Sequence, residues 1–190
     1  RRRGHTVILA TRQVGPHTFS APMQINESFW GGRKLGLGRG TGAMRVSLAL
    51  AGDDHIIGVW ADKRDFRSGY DIYAAVSPDS AQTFGDNQKV QDEFADGVAQ
   101  WHPSVGTGGK DLVVAVWDDD REGSPDIWLS FLGAEGWSAD LDVPGASGEG
   151  VQIEPALTID RHGGLHLAWV EKAEPEGPSR VRYLFAPLEQ

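Results

Sequence analysis

The sequence predicts an all-β chain of stacked four-stranded antiparallel blades, a β-propeller with about three to three and a half blades, and three observations predict it. Trp60, Trp117 and Trp169 recur at steps of 57 and 52 residues, the period of repeat units too small to bury a core singly. Each Trp closes an apolar run, and a charged loop and another strand follow it. The outer hairpins then end on an aromatic residue, Phe84 in one unit and Trp137 in the next.

Taken in order, the elements form one domain over residues 1–190, expected to hold thirteen strands and little helix. Residues 6–26 read as half a blade, because the step from Ile8 to Phe19 repeats that from Tyr73 to Phe84, and the step from Phe19 to Ile25 repeats those from Phe84 to Val90 and Trp137 to Val143. Residues 26–43 break the repeat. The units then run over 44–91, 101–144 and 153–186, the last with three strands. Their inner strands begin at Arg45-Val46-Ser47-Leu48, His102-Pro103-Ser104-Val105 and Glu154-Pro155-Ala156-Leu157, each placing Leu or Val twelve residues before its Trp. The next strands, Ile56 to Trp60, Leu112 to Trp117 and Leu165 to Trp169, are apolar enough to lie inside packed sheets. A third set follows at Asp71-Ile72-Tyr73, Asp126-Ile127-Trp128 and Val181-Arg182-Tyr183, and a fourth at Phe84 to Val90 and Trp137 to Val143.

Composition narrows the function classes. With 18 Lys plus Arg against 27 Asp plus Glu, the formal charge of −9 argues against a nucleic-acid partner. No apolar run is long enough to span a bilayer, and the absence of Cys removes disulfides and thiolate metal sites. No cofactor or metal is expected. Asp118-Asp119-Asp120 with Glu122 lacks a complete calcium-loop spacing and reads as a solvated acidic turn, and His162 and His166 lack a third ligand nearby.

Three groups of residues are candidates for function. Arg45, His102 and Glu154 occupy one column at the start of successive inner strands, so they converge on the channel face, either as a ring for a polar or anionic ligand or as partners of one another or of the Asp-x-Arg loops that fix blade packing. Asp62 with Arg64 and Asp119 with Arg121 recur from unit to unit, and recurrence favours a structural bidentate pair, with Asp71 or Asp126 as a further acceptor, over catalysis. The irregular loop carries Phe29, Trp30, Arg33, Lys34 and Arg39 and reads as a protein-docking loop or a connector. Its glycines form no phosphate loop.

Ser77-Pro78-Asp79-Ser80-Ala81-Gln82-Thr83-Phe84 resembles the Asp-box of the bacterial neuraminidase repeat found in sialidase-like propellers, with Ala81 in place of Gly and Phe84 in place of Trp. Ser77, Asp79 and Thr83 are the turn-forming polar residues of that motif. A left-handed Ala costs on the order of 1 to 2 kcal/mol, so this turn is expected to relax. The resemblance implies a periplasmic, extracellular or cell-surface protein and, for an active sialidase, roles for Arg45, Asp62 and Arg64. It also implies a Tyr-Glu pair and two further Arg from later blades, which no segment here supplies.

A closed ring needs at least four blades. The expectation is therefore a non-catalytic docking or accessory module whose ring is completed by another subunit or a second copy. The alternatives are a fragment of an exo-sialidase or other glycoside hydrolase, or a glycan-binding lectin using the channel face.

Overall fold

A computed structural model describes residues 5–27, 41–64, 69–92, 97–109 and 111–187. Phe29, Trp30, Arg33, Lys34 and Arg39 lie outside the described residues. Every regular element among the described residues is a strand.

The N-terminal segment holds β1 (His5–Thr6), β2 (Leu9–Ala10), β3 (Gln13–Gly15), β4 (Thr18–Phe19) and β5 (Met23–Gln24). β2 pairs with β5 and β3 with β4, both antiparallel. The first large sheet is β6 (Thr41–Ala51), β7 (His55–Asp62), β8 (Asp71–Ser77) and β9 (Gln88–Lys89), with β1 added in parallel beside β6, a pairing nothing in the repeat announces. The second contains β10 (Gln100–Thr107), β11 (Val113–Asp119) and β12 (Asp126–Gly133), with β13 (Gly136–Trp137) and β14 (Leu141–Asp142) both on β12. The third is β15 (Val151–Ile159), β16 (Gly164–Lys172) and β17 (Ser179–Pro187).

All seven residues of β11 are buried, because Val113, Ala115 and Trp117 face the first sheet while Val114 and Val116 face the third. That two-sided burial is why the strand reads as a continuous apolar run. A third apolar layer, Ile8, Ile25, Ala43, Trp60 and Ala75, joins the N-terminal segment to the first sheet. Trp60 and Trp117 are fully buried and Trp169 nearly so.

The outer strands are shorter than expected. Over Phe84 to Val90 only β9 forms, and over Trp137 to Val143 only β13 and β14. Isolated hydrogen bonds anchor the rest: Ile25 N–H to Ile8, Val90 N–H to Ile72 and Val143 N–H to Ile127 at one end, and Ser20 N–H to Arg12, Gly85 N–H to Val76 and Ser138 N–H to Phe131 at the other. Thus the apolar column survives where the ladder does not.

Inner strands are tied through serine. Ser47 Oγ accepts from the Val105 N–H at 3.3 Å, and Ser104 Oγ accepts from the Leu157 N–H at 3.0 Å. The third unit has Ala156 at this position, without a hydroxyl. On the side of the third sheet facing away from the second, Val181, Tyr183 and Phe185 are 74%, 62% and 52% exposed, whereas the corresponding Ile72 and Ile127 are buried by the next unit.

The Ser-Pro-Asp turn corrects one expectation. Ser80 and Ala81 sit at φ 56° and 62°, so Ala81 keeps the left-handed conformation instead of relaxing. Asp79 accepts from the N–H groups of Gln82 and Thr83 and from the Thr83 hydroxyl, while Ser77 Oγ accepts from the Ala81 N–H at 2.8 Å. These bonds offset the left-handed penalty. They also hold the Asp79 carboxyl below its ordinary range, the Thr83 hydroxyl contributing most. Phe84 packs beside Tyr73 against the Trp60 layer.

Candidate functional site

Each inner strand breaks register at the same place, between Met44 and Ser47, Trp101 and Ser104, and Ile153 and Ala156. Arg45, His102 and Glu154 sit in these three bulges with φ of 57°, 47° and 57°. A bulge re-aims its side chain and leaves one residue out of the ladder. Left-handed non-glycine residues at successive bulges are strained positions maintained by the surrounding sheet.

The three residues are brought into one neighbourhood. His102 Nδ1 lies 2.6 Å from Asp118 Oδ1, and His102 Nε2 lies 3.9 Å from Glu154 Oε1. The Glu154 N–H donates to the same Asp118 Oδ1 at 3.0 Å. Because the carboxylate only accepts, it selects the His102 tautomer with a proton on Nδ1 and leaves Nε2 toward Glu154. The Arg45 guanidinium stands 5.9 Å from the centre of the Trp101 ring, which contacts Tyr70 at 4.4 Å, and Lys63 Nζ is 5.5 Å from the Tyr70 ring. The result is an aromatic pair bordered by two cations beside an imidazole and a carboxylate.

Sequence reasoning does not single out Asp118, Trp101 or Tyr70 for this site. Within the sequence Asp118 reads as one member of an acidic turn, yet its side chain is 3% exposed and it bridges two sheets. The corresponding positions in the other units are Ala61 and Val170, so the available signal is a lone carboxylate in an apolar column. Asp119 and Asp120 are engaged too: Asp119 binds Arg121, and Asp120 Oδ1 accepts from the Ala99 N–H at 3.2 Å. No group of three His, Asp or Glu suited to a metal occurs among the described residues.

The Asp-x-Arg pairs have the same geometry in two units. Arg64 donates to Asp62 Oδ2 at 2.7 Å, with its guanidinium carbon 3.6 Å from the centre of the Tyr73 ring. Arg121 donates to Asp119 Oδ2 at 2.6 Å and lies 4.1 Å from the Trp128 ring centre. The same carboxylates receive the indole N–H of Trp60 and of Trp117. Two details depart from expectation. Both Arg121 nitrogens reach one oxygen of Asp119, not a fork of two, and neither Asp71 nor Asp126 is the further acceptor. Asp71 is taken by Lys89 of β9 and by the Gln91 amide, and Asp126 accepts from the Gly148 N–H. The further acceptors are Asn87 and Asp140. In the third unit Glu171 replaces the Asp and takes Arg180 and Arg182 from β17, and the Trp169 indole N–H has no protein partner among the described residues.

His166 has partners of another kind. Its Nδ1 is 2.7 Å from the Tyr183 hydroxyl and its Nε2 is 3.0 Å from Asp160 Oδ2. That bond and the Gly164 and His162 N–H groups pull the Asp160 carboxyl down to about 2.

No protein-family description and no curated protein matches the chain. Solved structures do. An ulvan lyase bound to a glucuronate–sulfated rhamnose unit aligns at 14% identity and TM-score 0.61, covering 96% of this chain and 48% of the lyase. A Hadza microbial sialidase aligns at 15% identity and TM-score 0.57, over 76% of this chain and 35% of the sialidase. A Penicillium chrysogenum α-L-arabinanase complexed with arabinobiose aligns at 14% identity and TM-score 0.52, over 77% of this chain and 46% of the arabinanase. The chain thus spans half or less of these structures. Its fold is all-β, with antiparallel sheets arranged as in propeller-type glycan-active enzymes. At these identities the likeness concerns the fold.

Proposed function

We propose that this chain is part of a glycan-directed, sialidase-like propeller protein acting at the cell surface, in the periplasm or outside the cell, and that it holds sugar on the face bearing Arg45, His102 and Glu154. The observation that carries this reading is Asp118. The Asp-x-Arg pair recurs in two units, as a packing device does, whereas Asp118 occurs once, is buried, and spends its charge on orienting His102 and Glu154. A buried carboxylate is costly unless it is paired and hydrogen-bonded, and Asp118 meets that condition only through His102 and Glu154 among the described residues. The chemistry around it suits a saccharide: the Trp101 indole ring for the apolar face of a sugar, Arg45 and Lys63 for acidic substituents, and His102 with Glu154 for hydroxyls.

The structural neighbours support a glycan-related role over the expected non-catalytic docking role. Asp62 and Arg64 are assigned to packing, since their geometry repeats at Asp119 and Arg121. The test is binding of acidic and neutral oligosaccharides to the wild type, Arg45→Ala and His102→Ala, with release of a fluorogenic sialoside measured in parallel. Selective loss of binding in both variants is expected. Unchanged binding in both removes the site, and turnover abolished by Arg45→Ala decides for a hydrolase over a lectin.

The exposed Val181, Tyr183 and Phe185 favour one second reading, in which this face meets another subunit or a second copy. Sedimentation of the chain with and without Tyr183→Glu tests it: a monomer in both cases rejects a self-contact.

A further inference from the structure

Between neighbouring units the outer loops are joined by a reciprocal clasp that occurs twice in the same register. In the first, the Glu27 N–H donates to Asn87 Oδ1 at 2.7 Å, the Asn87 N–H donates to Glu27 Oε1 at 3.1 Å, and Arg64 donates to Asn87 Oδ1 at 2.9 Å. In the second, the Asp92 N–H donates to Asp140 Oδ1 at 3.1 Å, the Asp140 N–H donates to Asp92 Oδ2 at 3.2 Å, and Arg121 donates to Asp140 Oδ2 at 2.7 Å. Glu27 and Asp92 each lie two residues beyond the anchoring Ile25 and Val90, and Asn87 and Asp140 each lie three beyond Phe84 and Trp137. Besides Glu27 standing where the second clasp has Asp92, one change of chemical group separates the two clasps. The first places an amide, whose Nδ2 donates to the Ile25 carbonyl at 2.9 Å, where the second places a carboxyl group.

We propose that the Asp92–Asp140–Arg121 clasp is a proton-operated joint between the first and second sheets, closed when a proton is held at Asp140 and loosened when it leaves. Among the described residues the charged groups facing Asp140 are Asp92 from the loop after β9, Arg121 from the loop after β11, and Asp119 of β11 on the far side of Arg121. Arg121 is thus the one cation among three carboxyl groups, and its guanidinium already binds Asp119. The Asp140 side chain is 2% exposed, so water does little to screen a full charge there. Burial pushes the Asp140 carboxyl up to about 6, with the Asp92 side chain acting in the same direction, while the Arg121 guanidinium and the Asp92 N–H oppose. A group held protonated in this way lends stability at low pH, and that stability is lost as pH rises from about 4 through about 6. The joint reaches the proposed sugar site through β11, where Asp118, the anchor of His102, is covalently next to Asp119. It operates whether or not that site binds sugar.

The experiment is urea unfolding of the wild type, Asp140→Asn and Asn87→Asp between pH 4 and pH 8. The ratio of unfolding constants, wild type over Asp140→Asn, should rise up to about a hundredfold across this range, because each tenfold weakening of the carboxyl as an acid in the folded chain changes the folding equilibrium about tenfold. Asn87→Asp should acquire a similar dependence at the first clasp. Parallel pH profiles for the wild type and Asp140→Asn overturn the proposal. A carbon-detected titration of Asp140 in the unmodified chain is independent of how the variants fold: a midpoint near 6 supports the joint, and one near 4 overturns it.

Discussion

Replacing Asp118 by Ala removes a single oxygen acceptor that serves two sheets. Oδ1 receives His102 Nδ1 at 2.6 Å and the Glu154 N–H at 3.0 Å, and the two bonds span 16 and 36 residues. A hydrogen bond to a charged group contributes about 1.5–3 kcal/mol, and a backbone N–H left without a partner costs about 1–3 kcal/mol, so Asp118→Ala should cost about 3–5 kcal/mol. Asp118→Asn provides a built-in control. Its amide oxygen can accept both bonds, losing only the charge assistance, so its cost should stay below about 1.5 kcal/mol. With a urea slope of about 2–3 kcal/mol/M, the midpoint should fall by about 1–2.5 M in the Ala variant and by less than about 0.8 M in the Asn variant. Urea titration followed by Trp fluorescence reads both. Equal midpoints for Ala and Asn, or an Ala variant as stable as the wild type, would refute the view that Oδ1 joins the sheets.

The other predictions concern single positions. Ala81→Gly should stabilise by about 0.5–1 kcal/mol, the relief of a left-handed Ala less the extra chain entropy of Gly, and a lower melting temperature contradicts it. Ser104→Ala should cost about 1–2 kcal/mol by stranding the Leu157 N–H, read by calorimetry, and an unchanged melting temperature contradicts it. His166→Ala should let the Asp160 carboxyl rise from about 2 toward its ordinary value. The wild type keeps the stabilisation from this depressed carboxyl above pH 4 and loses it as pH falls toward 2, so the variant should lose less on acidification, and NMR titration of Asp160 tests the cause.

Much of the framework is legible in the chain because it depends on local spacing. The three Trp, the twelve-residue step to Leu48, Val105 and Leu157, and the column Arg45, His102, Glu154 all follow from alternation and period, and the structure places each column in equivalent strands. Ala81 departs from expectation because a penalty at one residue, taken alone, omits the side-chain bonds that surround it. The outer strands are shorter than their sequence trace because a column such as Ile25, Val90 and Val143 is held by isolated backbone bonds, and a full ladder leaves the same apolar trace.

The strand succession within each unit and its apolar columns thus belong to the linear pattern, since burial on two faces leaves its mark residue by residue, whereas the bulges at Arg45, His102 and Glu154 and the pairing of β1 with β6 do not. Stacking alone decided which polar groups meet. Asp118 reaches Glu154 across two sheets, Arg121 finds Asp140 instead of Asp126, and Asp92 closes on Asp140 over 48 residues. Those partners depend on distances between units that no periodicity within a unit encodes, and burial at the junctions is what makes a single carboxyl there consequential.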